Sequence, residues 1–201
     1  TRLVGSEMCI RDRMTTKLYI DQTGDVEILN RQAPYFKDAQ AVRGTQIDAE
    51  YQPEQGGWQR TSQGEVYTGT ILEHLLIEQL AAFYEVGEHN ICRLRGADWN
   101  DALDMAAERG ESVAFTCAYA GNLRELAGMI RLLEKTTGSK TTQVLEELLV
   151  LCGDQTETFD DARAKQTILT QYAARCAHQI SGKRVEVCLS DLADSLEQKA
   201  D

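Results

Sequence analysis

Near the middle of the chain the run Gly87-Glu-His-Asn-Ile-Cys-Arg-Leu-Arg-Gly-Ala-Asp-Trp-Asn-Asp101 gathers residue types that could do chemistry on a sugar. Gly96 and Ala97 are small and let another group approach the backbone. Trp99 offers a flat apolar face, and Asp98, Asn100 and Asp101 put two carboxylates and an amide within four residues. A pyranose has an apolar C–H face suited to an indole and a rim of hydroxyls that need fixed hydrogen-bond partners. A plainer reading stays open. Asp and Asn are preferred helix N-caps, and residues 102–109 are a good short helix for them to cap; on local physics alone the cap is the commoner arrangement.

Helices on either side must position such a cluster. Ile71, Leu72, Leu75, Leu76, Leu80 and Phe83 recur at three- and four-residue spacing and predict an amphipathic helix over residues 70–84, closed by Gly87. Phe115, Tyr119, Leu123, Leu126, Ile130 and Leu133 predict a second helix from residue 112 to 133, ended by Gly138. Upstream, residues 18–20 read as a helix end stopped by Thr23-Gly24-Asp25. Downstream, Val144, Leu145, Leu148 and Leu149 predict a short helix over 142–151, stopped by Gly153. Ile168, Leu169, Tyr172 and Cys176 predict a long one over 158–180, with Thr158 and Asp161 at capping-box spacing and Gly182 as its terminator. A last element runs from Leu189 to Asp201. Residues 34–67 hold both prolines and Gly56-Gly57 without a sustained period, so they read as a long irregular segment. Trp58 and Tyr51 there could cover a ligand, although an aromatic tucked onto the core is the commoner case. No alternating strand pattern of convincing length is visible, and the fold class expected is all-α, built of helical hairpins.

Composition removes several function classes. The chain of 201 residues carries a net charge of −11, which opposes binding to a phosphate backbone, and no basic stripe is present. No apolar stretch approaches the roughly 18 residues needed to cross a membrane. Residues 3–13 resemble a translated sequencing adapter, since Met8-Cys-Ile-Arg-Asp12 reads back as ATG TGT ATA AGA GAC. Residues 1–13 are therefore set aside as artefactual, and residues 14–201 are expected to be a partial domain truncated at both ends. Five cysteines remain, Cys92, Cys117, Cys152, Cys176 and Cys188, without a CxxC pair. Reduced thiols in the cytoplasm are the preferred reading over a disulfide framework, and no metal site is expected.

Val86-Gly87-Glu-His89, Gly96-Ala-Asp-Trp-Asn-Asp101 and Gly110-Glu-Ser-Val113 resemble the corresponding stretches of glycoside hydrolase family 94, whose members include cellobiose and chitobiose phosphorylases. Thr23-Gly24-Asp25 through Ile28-Leu29 to Pro34-Tyr35, and Gly69-Thr70 with Glu73-His74, agree in order, so the resemblance covers most of residues 18–133. It implies an incomplete (α/α)6 barrel with a long irregular loop, and an inverting β-glycoside phosphorylase, hence a hexosyltransferase, acting on a β-linked glucan or disaccharide. Asp101 then falls on the general acid and Trp99 on the sugar subsite beside the bond being broken. Asp98 and Asn100 become substrate-binding groups, with Asp98 serving sugar hydroxyls or the turn that holds Trp99. An inverting hydrolase needs a second carboxylate to activate water; a phosphorylase does not, because inorganic phosphate is the nucleophile. Phosphate is thus a co-substrate, and no cofactor is implied. The family's phosphate ligands, His, Thr and Gln, lie well beyond the acid, and none is placed before Asp201. His178 reads as a mid-helix structural histidine; His74 and His89 read as hydrogen-bonding groups near the loop.

Two departures from the family's pattern bear on substrate. Ala102 stands where many members have Cys or Gly, and residues 38–65 are longer than expected in disaccharide-specific members, which points to subsites for a longer β-glucan and to β-1,2-oligoglucan phosphorylases as relatives. The expected partners are a β-glucan or disaccharide and phosphate, with no nucleic acid and no membrane; family members are often dimers, so the complete protein is expected as a homodimer. The piece alone is expected to turn over little. Three alternatives stay open: a hydrolase on the same barrel, the terminal domain of a cyclic β-glucan synthase, and a non-catalytic helical interaction module.

Overall fold

A computed structural model describes residues 9–41, 46–94, 109–153 and 156–201. Among these, the helices are α1 (Cys9–Thr23), α2 (Ile71–Tyr84), α3 (Val113–Thr137), α4 (Ala162–Arg175) and α5 (Leu189–Ala200). Three antiparallel pairs join them: β1 (Gln32–Pro34) with β4 (Thr68–Thr70), β2 (Gln40–Ala41) with β3 (Gln46–Ile47), and β5 (Thr141–Leu145) with β6 (Arg184–Cys188). The fold is mostly helical, and the expectation of an all-α domain is corrected by these small sheets.

α2 starts where Thr70, in extended conformation, accepts the Glu73 N–H on its hydroxyl at 3.0 Å. The helix is buried on almost every side rather than along one stripe, and Leu72, Leu75, Leu76, Ile77 and Leu80 are each at most 2% exposed. Each such side chain contributes roughly 2 kcal/mol by leaving water. α3 is capped by the Ser112 hydroxyl at its start and ends at Gly138 in the left-handed conformation, as predicted. Its Leu123, Leu126, Ile130 and Leu133 join Leu192 and Leu196 of α5 in one core cluster, and Arg131 pairs with Asp194 and Glu197 along the rim. α1 leans on α3 through Arg13, 7% exposed, whose guanidinium donates to Asn122 Oδ1 at 2.5 Å; Asn122 donates onward to Gln79 Oε1 on α2 at 3.0 Å. Arg13 belongs to the adapter-like stretch, yet it is packed into this polar chain.

Two predicted helices come out differently. Residues 141–145 form β5 and pair with β6 from Thr141 opposite Cys188 to Leu145 opposite Arg184, followed by a 3-10 turn over Glu146–Val150. Thr141, Thr142 and Val144 are β-branched, and their partners Val185 and Val187 lie some forty residues away, so the apolar spacing of Val144, Leu145, Leu148 and Leu149 mimicked a helix locally. α4 is shorter at both ends than predicted. Its N-cap is Asp161, whose carboxylate accepts from the Arg163 and Ala164 N–H groups, not Thr158, and the helix ends at Arg175, leaving His178 outside it. The described residues of the long segment from 34 to 67 are irregular, as predicted, apart from the β2–β3 pair, a 3-10 turn over Pro53–Gln55 and isolated bridges such as Phe36 with Trp58.

One buried carboxylate ties the sheets to the helices. Glu73, 1% exposed, accepts hydrogen bonds from the hydroxyls of Tyr35 at 2.8 Å and Tyr67 at 3.1 Å and from the Leu145 N–H at 2.8 Å. These donors flank β1 and β4 and end β5, so three strands converge on the first turn of α2. Gly69 is required there, because a Cβ would overlap Glu73 Oε1 and the Tyr35 hydroxyl. Burial pushes the Glu73 carboxyl above the usual carboxylate range, against the hydrogen bonds from Tyr35, Leu145 and Tyr67. Next to it, His74 stacks on Tyr35 with ring centroids 3.7 Å apart and places Nε2 3.1 Å from the Ala33 carbonyl. Burial lowers its pKa to about 4, so the ring is neutral and donates to that carbonyl.

Two outcomes follow from this knot. Glu73→Leu strands three buried donors and should cost roughly 3–5 kcal/mol in the denaturant midpoint, whereas Glu73→Gln keeps an acceptor and should cost clearly less; equal losses would contradict the assigned role. His74 binds its proton more weakly folded than unfolded, where its pKa is about 6.5. Stability is therefore whole above that value and falls as pH drops from about 6.5 towards 4. Stability measured against pH in the wild type and in His74→Gln should diverge across that window, and parallel curves would count against it.

Candidate active site

Asp98, Trp99, Asn100 and Asp101 lie outside the described residues, as do Gly96, Ala97 and Ala102. The structure shows the frame at both ends of the segment that carries them. After α2 the chain turns back on itself. Gly87 N–H donates to the Ile91 carbonyl at 2.9 Å and Arg93 N–H to that of Glu85 at 3.0 Å, with Asn90 at the tip in a positive-φ conformation of 61°. The chain returning towards α3 pairs with this hairpin: Leu94 N–H donates to the Gly110 carbonyl at 2.9 Å, and Ser112 N–H donates to that of Cys92 at 2.9 Å. The two ends of residues 95–108 are thereby held side by side.

The Glu111 carboxylate locks the join. It accepts the His89 main-chain N–H at 2.9 Å on one oxygen and lies 2.6 Å from His89 Nδ1 with the other. Gly87 makes room for it, because a Cβ there would overlap the carboxylate. Partial burial works against the charge, but the hydrogen bonds from the His89 main chain and ring hold Glu111 below the usual carboxylate range. The clamp therefore persists down through weakly acidic pH and is lost only as pH falls through that lowered value.

Further bonds anchor the frame to the helices. Cys92 N–H donates to the Thr116 hydroxyl on α3 at 2.9 Å, Gln166 Nε2 on α4 donates to the Val86 carbonyl at 2.6 Å, and Asn90 Nδ2 donates to the Phe159 carbonyl at 3.0 Å. Glu88 and Arg109 pair at 2.7 Å on the exposed side, where solvent leaves such a pair little weight.

Of the three histidines, His89 is bonded to Glu111 in the frame. His74 is in the Glu73 knot. His178 is not mid-helix: it follows α4 and places Nδ1 2.9 Å from Asp48 Oδ2, with Lys37 on the same carboxylate at 2.9 Å. Trp58 is not tucked onto the core either. It is 47% exposed and lines a shallow groove with Tyr51, Asp48, Arg60 and His178. Among the described residues no three His, Cys, Asp or Glu side chains are gathered as a metal site, and no helix is long and apolar enough to cross a membrane. Sequence reasoning gave Glu111 no role. Its signal was the acidic residue between Gly110 and Ser112 in a matching stretch, but its partner lies 22 residues upstream in another such stretch.

Glu111→Ala removes the acceptor that locks the frame. In the 201-residue chain it should speed native-state protease cleavage within residues 85–94 at least about tenfold, the weight of hydrogen bonds to a charged group. Cleavage unchanged from wild type would contradict the clamp.

The family described as glycosyl hydrolase 94 superfamily, catalytic domain, matches residues 46–150, more than half of the chain. The chain is also 26% identical over 119 residues to a solabiose phosphorylase of Paenibacillus borealis; the alignment takes in 58% of this chain and spans only 12% of that relative's length. The family match includes Glu73 with Tyr67 and Leu145 of its knot, the hairpin, the Asp98–Asp101 cluster and Glu111, and the chain belongs to the glycosyl hydrolase 94 superfamily, as part of its catalytic domain.

Proposed function

We propose that the protein carrying this chain is an inverting glycoside phosphorylase with Asp101 as its general acid. The observation that carries the reading is the meeting of residues 86–89 and 110–113 on one carboxylate, at the base of the segment that holds Trp-Asn-Asp. A frame this closely bonded suits a group that must hand over a proton at a fixed place. The similar protein named as a phosphorylase supports the reaction class.

In this proposal Trp99 stacks on the sugar face, Asp98 and Asn100 bind its hydroxyls, and Asp101 protonates the glycosidic oxygen as its bond to the anomeric carbon breaks. A phosphate oxygen attacks that carbon from the opposite face, giving an inverted sugar 1-phosphate and a free acceptor end. Asp101 must stay protonated near neutral pH, above its reference value of about 3.9, and a closed site with phosphate nearby supplies both desolvation and like charge. The helices of this chain are part of an (α/α)6 barrel, whose remaining hairpins bring the phosphate ligands. Exposed Trp58, on the long segment, suits an outer subsite for a longer β-glucan. The proposal places the enzyme in the cytoplasm as a homodimer, with phosphate as co-substrate and no cofactor.

The test uses the longest reading frame that carries these residues. With β-glucan oligosaccharides and phosphate, sugar 1-phosphate should form, and Asp101→Asn should lower the rate at least about a hundredfold. Release of free sugar without phosphate would make it a hydrolase instead, and an unaffected Asp101→Asn would remove the acid from its role.

A further inference from the structure

A cavity of about 240 Å³ lies between the end of α2, the first turns of α3 and α4, and the end of α5. Phe83, Tyr119 and Phe159 line it, with the Phe83 and Phe159 rings edge to face at 5.2 Å. Two lysines, each 5% exposed, also line it. Lys199 is committed to the structure, donating to Ser195 Oγ at 2.7 Å and to the Gly153 carbonyl at 2.9 Å. Lys165 is different. Its ammonium sits 4.0 Å over the Phe83 ring, and no hydrogen bond or ion pair among the described residues satisfies its three donors.

Opposite in character is Asn90, on the hairpin that frames residues 95–108. Its Nδ2 is used by the Phe159 carbonyl, while its buried Oδ1 has no hydrogen-bond partner. A buried acceptor without a partner and an ammonium set over an aromatic ring thus share one aromatic-walled space, and leaving the buried acceptor unpaired is costly. Asp160 lines the same cavity and acts on the Lys165 charge, which disfavours a phosphate group beside it, whereas the Asp201 carboxylate is paired with Arg124 at 2.6 Å on the exposed side. The volume is below that of drug-sized pockets, roughly 300–1,000 Å³, and suits one small ring.

We propose that this cavity binds a single neutral hexose-sized ring, with its C–H faces on Phe83 and Phe159, one hydroxyl donating to Asn90 Oδ1 and another oxygen accepting from Lys165. The place is given by the cavity itself; the sugar class rests on the phosphorylase reading. Because Asn90 belongs to the hairpin, the bound ring would sit within two bonded contacts of the frame that holds the acid's segment.

Burial lowers the Lys165 pKa to about 8, so a useful fraction of its amine is reactive near neutral pH. This supplies a site-resolved readout on the 201-residue chain. Acetylation by N-hydroxysuccinimidyl acetate is followed by peptide mass spectrometry, with exposed Lys140 and Lys183 as controls, in the presence of methyl β-D-glucoside or of inorganic phosphate. At a sugar concentration about four times its Kd or more, acetylation of Lys165 should slow at least about fivefold, as occupancy dictates, and the controls should be unchanged; phosphate should not protect. Asn90→Gly, whose backbone accepts positive φ, should abolish the protection, and Lys165→Met should weaken glucoside binding in calorimetry by about fivefold or more. Absence of protection, equal protection of the control lysines, or protection by phosphate alone would overturn the proposal. Each of these can occur while sugar 1-phosphate is still formed by the larger enzyme, so failure here is separate from failure of the phosphorylase reading.

Discussion

The contact on which the site's frame depends is the Glu111 carboxylate spanning the main chain and ring of His89. It is a short-range interaction between residues far apart in sequence, and it is possible only because Gly87 has no side chain. The hairpin from Glu85 to Arg93 and the strand-like return through Gly110–Ser112 would otherwise be two short, isolated pieces of extended chain, which are marginal in water on their own. Bonding them to each other and to α3 and α4 makes the approach to residues 95–108 part of the helical body. In the function proposed, where this segment presents an acid to a bond, such a base fixes the place of proton transfer.

A second buried carboxylate, Glu73, does for the fold what Glu111 does for the frame. Its three donors come from segments around residues 35, 67 and 145, and it sits in the first turn of the most buried helix. A carboxyl group at such a place is tolerated because both oxygens accept hydrogen bonds; the cost of its burial appears in the raised carboxyl pKa, and the burial of His74 beside it keeps that ring neutral. Three of the stretches that resemble the family, Gly69-Thr70 with Glu73-His74, and those of Gly87 and Glu111, therefore have structural reasons of the same kind: glycine beside a carboxylate that gathers distant chain.

Local signals made much of this legible in the sequence. The period of α2 and α3 and the terminator Gly138 depend on neighbours within a few residues, and both helices start within one residue of the expectation, while their caps Thr70 and Ser112 had not been singled out. β5 and β6 were not legible, because a five-residue strand facing a partner forty residues on has no local period to distinguish it from a short helix. The same limit hid the roles of Glu73, Glu111 and Asn90, whose partners come from other elements. Trp58 failed for another reason: the preference for burying indole is an average, and this ring stands in a groove whose polar rim is built by His178 and Asp48 from opposite ends of the chain.

The most direct measurement is amide hydrogen exchange at Leu94 and Ser112, whose N–H groups close the two ends of the frame. If the Glu111 clamp holds, both exchange slowly in the wild type, on the scale of the α3 backbone, and become fast together when Glu111 is replaced by alanine. Exchange at the rate of an unfolded peptide in the wild type, or protection indifferent to Glu111, would contradict the account.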